Sequence, residues 1–430
     1  MSRPNIIFLH IDQQNLKAIG AHGCAYASTP AMDRMLGRAV SFDHCVMANP
    51  LCMPSRSSWY TGLMPEEHGQ IMNAPPYMDE SIADIGPLVA SGGYDSIYMG
   101  KWHLARDVTK SFDLLYRGHP CGEQGDAYVA RSAEAFLATR QGDKPFFLNI
   151  GLLNPHDCCA WAGAAHTSTG VVKSSLIPGM VDQLPPLPPN HHLNAFPTSH
   201  RPFIDPTRGK WSDLDWRYYM YCCYRHVEMV DVELERIFSA LENSRFADNT
   251  LLIFASDHGE GLAQHYHYGK QSPMDHSLIA PLAFIHPGLK PRRDTSHVIS
   301  SIDVTATICD FAGVDPLPGR RGLSIRPLLD EKKTGWRAFA PACPMDGQVR
   351  LVRTTEHKLI NDRITNEYVM YDLVKDPWEM KNVVADPAYS QTLAQLKTYM
   401  DQNEATYHFA PSTIVTFENW RKSGKGPIVN

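Results

Sequence analysis

Three short apolar runs in the sequence each lead to residues that bind metals or transfer protons. The runs and the residues after them are 5–11 with Asp12, 145–151 with His156, and 250–256 with Asp257 and His258. Their length and their β-branched and aromatic residues favour buried strands of a parallel sheet. Because parallel strands end at one edge of a sheet, we expect these polar side chains to lie close together. Carboxylates and imidazoles in one crevice predict a metal centre with acid–base groups beside it.

A second group of reactive residue types is the segment Cys52-Met53-Pro54-Ser55-Arg56. The pattern is short, so that alone it indicates little. The other nine cysteines include two adjacent pairs and form no regular framework. Because no secretion signal is visible, we expect those nine to be reduced thiols. Cys52 is the exception because of the motifs that surround it along the chain.

The order of these motifs resembles that of the type I sulfatases, a family within the alkaline phosphatase superfamily. The segment at Cys52 resembles the signature of that family, and Gly100-Lys101-Trp102-His103 resembles its Gly-Lys-Trp-His segment. The remaining matches, in family order, are Asp12 after the first strand, Thr61-Gly62, Glu67-His68-Gly69, Pro155-His156, Ser256-Asp257-His258-Gly259, Gly269-Lys270, Ile302-Asp303 and Tyr371-Asp372. Because all of them stand in one order, coincidence does not account for them.

The resemblance implies that Cys52 is oxidised to formylglycine, whose hydrate carries two hydroxyls. One hydroxyl attacks the sulfur of a sulfate ester, and loss of the proton from the other allows the sulfate to leave. A formylglycine-generating enzyme is then a partner during maturation and reads Pro54 and Arg56. Arg56 afterwards helps to hold the hydrate. The implied function is that of a sulfuric ester hydrolase.

The same resemblance implies one divalent metal ion, bound by Asp12, Asp257, His258 and residue 52. Gln13 either ligates through its amide oxygen or orients Asp12. Carboxylates with one imidazole are compatible with Ca²⁺ or Mn²⁺, although a nitrogen ligand is less typical of Ca²⁺. Ca²⁺ is the first expectation and Mn²⁺ the second.

Four further residues have roles that the resemblance implies. Lys101 and Lys270 neutralise charge on the transferring group. His103 lies at the nucleophile and helps to deprotonate its second hydroxyl. His156 protonates the leaving alcohol, together with Lys270, and such proton donation is typically worth about two to four powers of ten in rate.

Two other functions stay open at the level of the sequence. The pairs Asp12-Gln13 and Asp257-His258 resemble the branch that holds choline sulfatase and the phosphonate monoester hydrolases. A phosphonate monoester hydrolase or phosphodiesterase with the same nucleophile and metal is therefore the alternative. A silent binding protein on this scaffold would lack a nucleophile, a ligand or a lysine, and all are present. Because many sulfatases act on carbohydrates, the expected substrate is a small sulfated carbohydrate or another organic sulfate.

Apolar strands alternate with helical periods, as at residues 127–140 and 216–243, which predicts an α/β fold. We expect a large mixed, mainly parallel sheet sandwiched by helices, similar to that of alkaline phosphatase. Short strands at 348–353, 358–361 and 368–373 and a helix at 388–403 predict a smaller C-terminal antiparallel sheet plus helix. The predicted domains are therefore a catalytic domain, 1–330, and a C-terminal α+β subdomain, 331–430. Residues 163–212 are predicted to form an irregular excursion near the site.

The composition of the 430 residues is that of a globular protein, with 43% hydrophobic and 20% charged residues. The net charge is −6 and no basic block occurs, so nucleic acid is not an expected partner. No apolar stretch approaches bilayer length, and no membrane association is expected. The absence of a visible signal peptide predicts a cytoplasmic protein, or a periplasmic one if a leader has been removed. A homo-oligomer is compatible with the sequence.

Overall fold

The computed structural model describes residues 3–160, 162, 179–193, 211–332 and 335–423. The strands of its larger unit are β1 (Asn5–Asp12), β2 (Val40–Phe42), β3 (Cys45–Val46), β4 (Asp95–Gly100), β5 (Asp113–Tyr116), β6 (Phe146–Pro155), β7 (Thr250–Ser256), β8 (Leu282–Ile285), β9 (Arg292–Asp294) and β10 (Ile299–Ser300). One sheet has the strand order β5-β4-β6-β1-β7-β8-β2-β9, and β3 pairs separately with β10.

β1 lies in the middle of the sheet and pairs in parallel with β6 on one side and β7 on the other. β4 continues the parallel arrangement beyond β6, whereas β8 runs antiparallel to both β7 and β2. Every residue of β1, β6 and β7 is buried, as expected for strands that are covered on both faces. The predicted large mixed, mainly parallel sheet is confirmed.

Helices cover both faces of this sheet. The helices of the larger unit are α1 (Pro30–Gly37), α2 (Cys52–Thr61), α3 (Pro65–His68), α4 (Ile85–Ser91), α5 (Gly122–Thr139), α6 (Met180–Gln183), α7 (Asp213–Glu242), α8 (Asp275–Leu278), α9 (Asp303–Ala312) and α10 (Arg326–Leu329). Apolar side chains of α1, α5 and α7 fill the core on one face, and those of α2, α4 and α9 fill the core on the other. The sandwich of helices and sheet that we predicted is therefore present.

The long helix α7 begins three residues before the Trp216 at which its apolar period led us to place the start. The reason is a cap: Ser212 Oγ accepts a hydrogen bond from the Asp215 N–H at 3.3 Å. The Asp215 carboxylate in turn accepts from the Ser212 N–H at 2.8 Å. Such a reciprocal pair satisfies two N–H groups that the first turn leaves free.

The C-terminal unit is a small antiparallel sheet with helices. Its elements are β11 (Ala340–Ala342), β12 (Val349–Arg353), β13 (His357–Asp362), β14 (Tyr368–Asp372), α11 (Ser390–Glu404) and α12 (Pro411–Ser423). The predicted antiparallel sheet and the helix at α11 are confirmed. We did not predict β11, because it is a three-residue edge strand containing Pro341 and shows no alternation of apolar and polar residues.

Buried ion pairs join the smaller sheet to the larger unit. Lys358 on β13 is fully buried, and its Nζ lies 2.9 Å from Asp275 Oδ1 on α8 and also contacts Glu379. Arg353 on β12 forms a second pair with Asp275, at 2.9 Å. Removing one partner of a buried pair typically costs about 3–5 kcal/mol, so we expect the loss of any one of these residues to destabilise the contact between the two units. The domain boundary at residue 330 stays a prediction.

Most of the predicted excursion at 163–212 lies outside the described residues; 179–193 and 211–212 are described. In this segment the side-chain Nδ2 of Asn190 lies 3.1 Å from Nε2 of His265. The backbone carbonyl oxygen of Asn190 accepts a hydrogen bond from the backbone N–H of His265 at 3.2 Å. The described part of the excursion therefore packs on the loop that leads to Lys270. Among the described residues, no helix has the length and apolar character that a membrane span requires.

Candidate active site

Four neighbouring parallel strands end at one edge of the sheet. Their order across the sheet is β4, β6, β1 and β7. The residues at or just beyond their carboxyl ends are, in the same order, Lys101, His156, Asp12 and the pair Asp257-His258. The polar strand ends that we expected to be neighbours are therefore side by side.

A glycine allows the turn that brings Lys101 to this edge. Gly100 ends β4 with a φ of +92°, and a Cβ on it would lie 1.9 Å from the carbonyl oxygen of Gly151 on β6. Any side chain at this position would clash with the neighbouring strand, so the turn requires glycine. The Lys101 N–H donates to the same Gly151 carbonyl at 2.8 Å, which fixes the lysine over the end of β6.

Cys52 is the first residue of α2, so its side chain lies at the positive end of the helix. Arg56 follows one turn later on the same helix face. Both side chains are fully buried. A helix N-terminus favours the thiolate form of a cysteine, so this position suits a reactive residue.

The Cys52 sulfur contacts three groups of the site. It lies 2.9 Å from Lys270 Nζ, 3.2 Å from His258 Nε2 and 3.7 Å from Asp12 Oδ1. Burial and the Asp12 carboxylate would raise the pKa of the Cys52 thiol. Lys270, Lys101 and His258 outweigh them and hold that pKa well below its usual range. The net effect of the groups around position 52 is thus to stabilise negative charge there.

Arg56 joins the two carboxylates of the site. Its Nε donates to Asp257 Oδ2 at 2.8 Å, and its Nη2 donates to Asp12 Oδ2 at 3.2 Å. Its Nη1 lies 3.1 Å from the Lys101 carbonyl oxygen and 3.2 Å from His10 Nδ1. Arg56 therefore orients both acids, and its contact with a hydrate stays a prediction. We did not predict His10, although a histidine inside a buried apolar strand needs a polar partner and is itself a signal.

Four side chains form a cluster that fits a divalent metal ion. The ligand atoms of Asp12, Cys52, Asp257 and His258 all lie within 4.8 Å of one another, and all four residues are buried. His258 Nδ1 donates to the Gly259 carbonyl oxygen at 2.9 Å, which leaves Nε2 facing the two carboxylates. Two carboxylates and one imidazole nitrogen around one point are a donor set for Ca²⁺ or Mn²⁺. The residues present therefore fit the implied metal.

Gln13 links this cluster to Lys270 and to a buried acid that we did not predict. The Gln13 N–H donates to Asp257 Oδ1 at 3.1 Å, and its Oε1 accepts from Lys270 Nζ at 2.9 Å. Its Nε2 donates to Glu260, which also accepts from the Gly269 N–H at 2.6 Å. Glu260 therefore positions the Gln13 side-chain amide, which is hydrogen-bonded to Lys270, and also the backbone of Gly269, just before Lys270. Metal ligation by Gln13 stays a prediction.

The two histidines assigned to proton transfer lie in different surroundings. Burial, followed by the charge of Lys270, lowers the pKa of His156 to about 4, so its imidazole is neutral near pH 7. His103 is exposed and has a φ of +53°. Within the described ranges, no hydrogen bond or ion pair joins His103 to the cluster. The structure thus brings the other predicted site residues together and places His103 at the surface.

Comparison with known proteins identifies the family. A sequence model described as Sulfatase matches residues 4–314, a range that contains every residue of the site. The chain belongs to the sulfatase family. As a sulfatase it is a sulfuric ester hydrolase, and this function is favoured over that of a phosphonate monoester hydrolase. A second model, described as N-sulphoglucosamine sulphohydrolase, C-terminal, matches residues 263–406 and so crosses the predicted boundary at 330.

Two sulfatases of Bacteroides thetaiotaomicron are similar over most of their length. A Delta 4,5-hexuronate-2-O-sulfatase is 26% identical over 93% of this chain and 88% of its own. An N-acetylglucosamine-6-O-sulfatase is 26% identical over 94% of this chain and 87% of its own. Both are similar along the catalytic region and the C-terminal unit alike.

Two solved structures share the fold. A 2-O GAG sulfatase has a TM-score of 0.84 at 23% identity and covers 100% of this chain and 95% of its own. A phosphonate monoester hydrolase of Agrobacterium radiobacter has a TM-score of 0.76 at 22% identity, over 94% of this chain and 96% of its own. At these identities the two structures show the alkaline phosphatase-like fold alone.

We expect Glu260→Gln to lower kcat by about 10- to 100-fold, the range typical of residues that orient a site through another residue. A neutral amide presents one oxygen and an NH₂ group, so it no longer accepts from all the donors around it. The alignment of Gln13 and Lys270 is then lost. The measurement is kcat and KM for an aryl sulfate, and Glu134→Gln, a half-exposed acid on α5, is the control. An unchanged kcat in the Glu260 variant would contradict this positioning role.

Proposed function

We propose that this sulfatase hydrolyses a small sulfated carbohydrate, with residue 52 acting as a formylglycine hydrate. The observation that carries the proposal is the position of Cys52 at the start of α2, with its sulfur 2.9 Å from Lys270 Nζ and 3.2 Å from His258 Nε2. The hydrate supplies one hydroxyl for attack on sulfur and a second whose proton loss frees the sulfate. A formylglycine-generating enzyme is the proposed maturation partner.

Asp12, Asp257, His258 and residue 52 are the proposed ligands of one divalent ion. When bound, the ion acts as a Lewis acid on the sulfate oxygens and lowers the pKa of the attacking hydroxyl. We propose Ca²⁺ first and Mn²⁺ second. Activity restored to chelator-treated protein by each ion distinguishes the two.

Two lysines are proposed to bind the sulfate group. Lys101 and Lys270 place positive charge beside residue 52 and neutralise the charge of the transferring group. Burial would lower the pKa of Lys270, but Cys52 and Asp12 raise it above its usual range. Lys270 is the proposed donor to the leaving alcohol, beside His156.

The histidines His156 and His103 are proposed to assist, at the leaving oxygen and at the second hydroxyl of the hydrate respectively. His156, which we predicted to protonate the leaving alcohol together with Lys270, has a pKa lowered to about 4. We propose that its neutral imidazole donates one N–H hydrogen bond to the leaving oxygen beside Lys270. His103 is proposed to take the proton of the second hydroxyl, which requires its exposed side chain to turn toward residue 52.

The proposed substrate class rests on the relatives. Those named as a hexuronate 2-O-sulfatase and an N-acetylglucosamine 6-O-sulfatase are similar to this chain over nearly its whole length. Specificity for one sugar differs between such relatives, and it is set by side chains around a shared site. We propose that the unit at 331–430 supplies part of that specificity, because it packs beside the catalytic unit at 1–330.

Turnover of three ester types tests this proposal. They are 4-nitrophenyl sulfate, an aryl phosphonate monoester and a panel of monosulfated sugars, assayed with protein that carries metal and a modified residue 52. We expect the highest kcat/KM for one of the sulfated sugars. A higher kcat/KM for the phosphonate would assign the chain to the alternative function. No turnover of any sulfate ester would contradict the proposal.

A further inference from the structure

A buried carboxylate in the C-terminal unit has no cation to balance it. Asp346 is only 6% exposed, and no ion pair reaches it within the described ranges. Gln271 donates to it, with Nε2 at 2.8 Å from Asp346 Oδ1. Burial raises the pKa of Asp346 to about 7. A buried acid without a charged partner is unfavourable unless hydrogen-bond donors surround it. A donor from a bound ligand would therefore stabilise the Asp346 carboxylate.

Gln271 ties this acid to the catalytic residues. It directly follows Lys270, whose Nζ lies 2.9 Å from Cys52 Sγ. The Gln271 N–H donates to the carbonyl oxygen of Pro50, two residues before Cys52, at 2.9 Å. Gln271 therefore holds Asp346 through its side chain, while its backbone is fixed beside Lys270 and hydrogen-bonded to Pro50.

The segment that carries Asp346 is docked on the residues before the nucleophile. The Cys343 N–H donates to the Ala48 carbonyl at 2.8 Å, and Asn49 Nδ2 donates to the Cys343 carbonyl at 2.6 Å. Asp346 itself has a φ of +51°, in the left-handed region. Aspartate is among the residue types that adopt this conformation most readily, so it is compatible with a tight turn here, and the docking of the segment on Ala48 and Asn49 is what places Asp346 near the nucleophile.

Cations lie near residue 52, and an acid lies on the side of the C-terminal unit. Lys101, Lys270 and Arg56 are cations and suit the sulfate group, whereas Asp346, with a pKa of about 7, is mostly ionised above that pH and there repels a second anion. An ionised carboxylate accepts hydrogen bonds and donates none. Hydroxyl groups of a sugar are therefore its matching partners, and bonds to a charged acceptor are the stronger ones.

We infer that Asp346 accepts a hydrogen bond from a hydroxyl of the sugar ring that carries the sulfate ester. This inference rests on the proposed function and adds to it a specificity residue from the C-terminal unit. The enzyme then prefers monosulfated sugars with a free hydroxyl near the ester. It discriminates against sugars that carry a second sulfate or a carboxylate at that position.

The test is the ratio of kcat/KM for the best monosulfated sugar to kcat/KM for 4-nitrophenyl sulfate. The aryl ester offers no hydroxyl to Asp346, and the ratio does not depend on how much of the protein is folded or modified. We expect Asp346→Asn to lower this ratio by about 10- to 100-fold, because the single oxygen of the amide accepts from Gln271 and its NH₂ group cannot accept from the sugar hydroxyl. Asp401→Asn, an exposed acid of the same unit, is the control and leaves the ratio unchanged.

The outcomes separate the inference from the proposed function. A ratio that is the same in Asp346→Asn and in the wild type overturns the inference while the proposed function stands. Wild-type protein that hydrolyses no sulfate ester overturns the proposed function, and the inference with it. A lower ratio, with weaker discrimination against the disulfated form of the same sugar, supports the inference.

Discussion

Replacing Cys52 with alanine abolishes turnover of sulfate esters, by on the order of 10⁴-fold or more in kcat. Alanine has no thiol to oxidise and no oxygen to attack sulfur, so the covalent step is lost. Three of the four proposed ligands, Asp12, Asp257 and His258, are unchanged, so we expect the variant still to bind a metal ion, though more weakly than the wild type. Turnover of 4-nitrophenyl sulfate and metal content by elemental mass spectrometry measure the two effects.

Cys52→Ser separates the attack on sulfur from the release of sulfate. A serine hydroxyl attacks once but has no second hydroxyl through which the sulfate leaves. We therefore expect the variant to retain one sulfo group after reaction, as measured by intact-protein mass spectrometry. Cys309→Ala removes another fully buried thiol, on α9, and serves as the control with activity retained. An alanine variant at position 52 with wild-type kcat would show that this residue is not the nucleophile.

Asp12→Asn has the second largest expected effect, a loss of bound metal and a fall in kcat on the order of 10³-fold. Its carboxylate lies 3.2 Å from Arg56 Nη2 and 4.0 Å from Lys270 Nζ, and it also contacts Lys101. Burial alone would raise the pKa of Asp12, but Lys101, Lys270, His156 and Arg56 hold it well below its usual range. The acid is thus charged near pH 7. Asparagine keeps the shape and removes the charge, which leaves the cations to repel a divalent ion.

Metal bound per folded protein and kcat are the two measurements for Asp12→Asn. Asp84→Asn is the matched control, because it breaks another buried pair, Asp84–Arg106 at 2.8 Å, outside the metal cluster. We expect that control to be less stable but to keep its metal. A full metal content in Asp12→Asn would place the metal site elsewhere in the molecule.

Patterns between neighbours in the chain were sufficient to predict the strand ends of the site. Asp12, Asp257 and His258 each follow an apolar run of strand length, and such a run depends on local sequence alone. Lys101 and Lys270 have no such pattern, and we predicted them from the resemblance to a family. His103 came from the same motif, but in the structure it has a left-handed backbone and an exposed side chain.

Two acids near the site could not be predicted, because their partners are distant in the chain. Glu260 meets Gln13, 247 residues away, and Asp346 meets Gln271, 75 residues away. Nothing in the neighbouring sequence distinguishes these acids from acids at the surface. Their burial follows from how the loops and the C-terminal unit pack, which only the folded chain determines.

The proposal that residue 52 is the nucleophile depends on the mass of one peptide. The protein is produced in a host with formylglycine-generating activity, digested, and the peptide containing residue 52 is weighed. We predict the mass of the aldehyde or of its hydrate at that position. An unmodified thiol in protein co-expressed with the maturing enzyme would contradict the formylglycine mechanism for this chain.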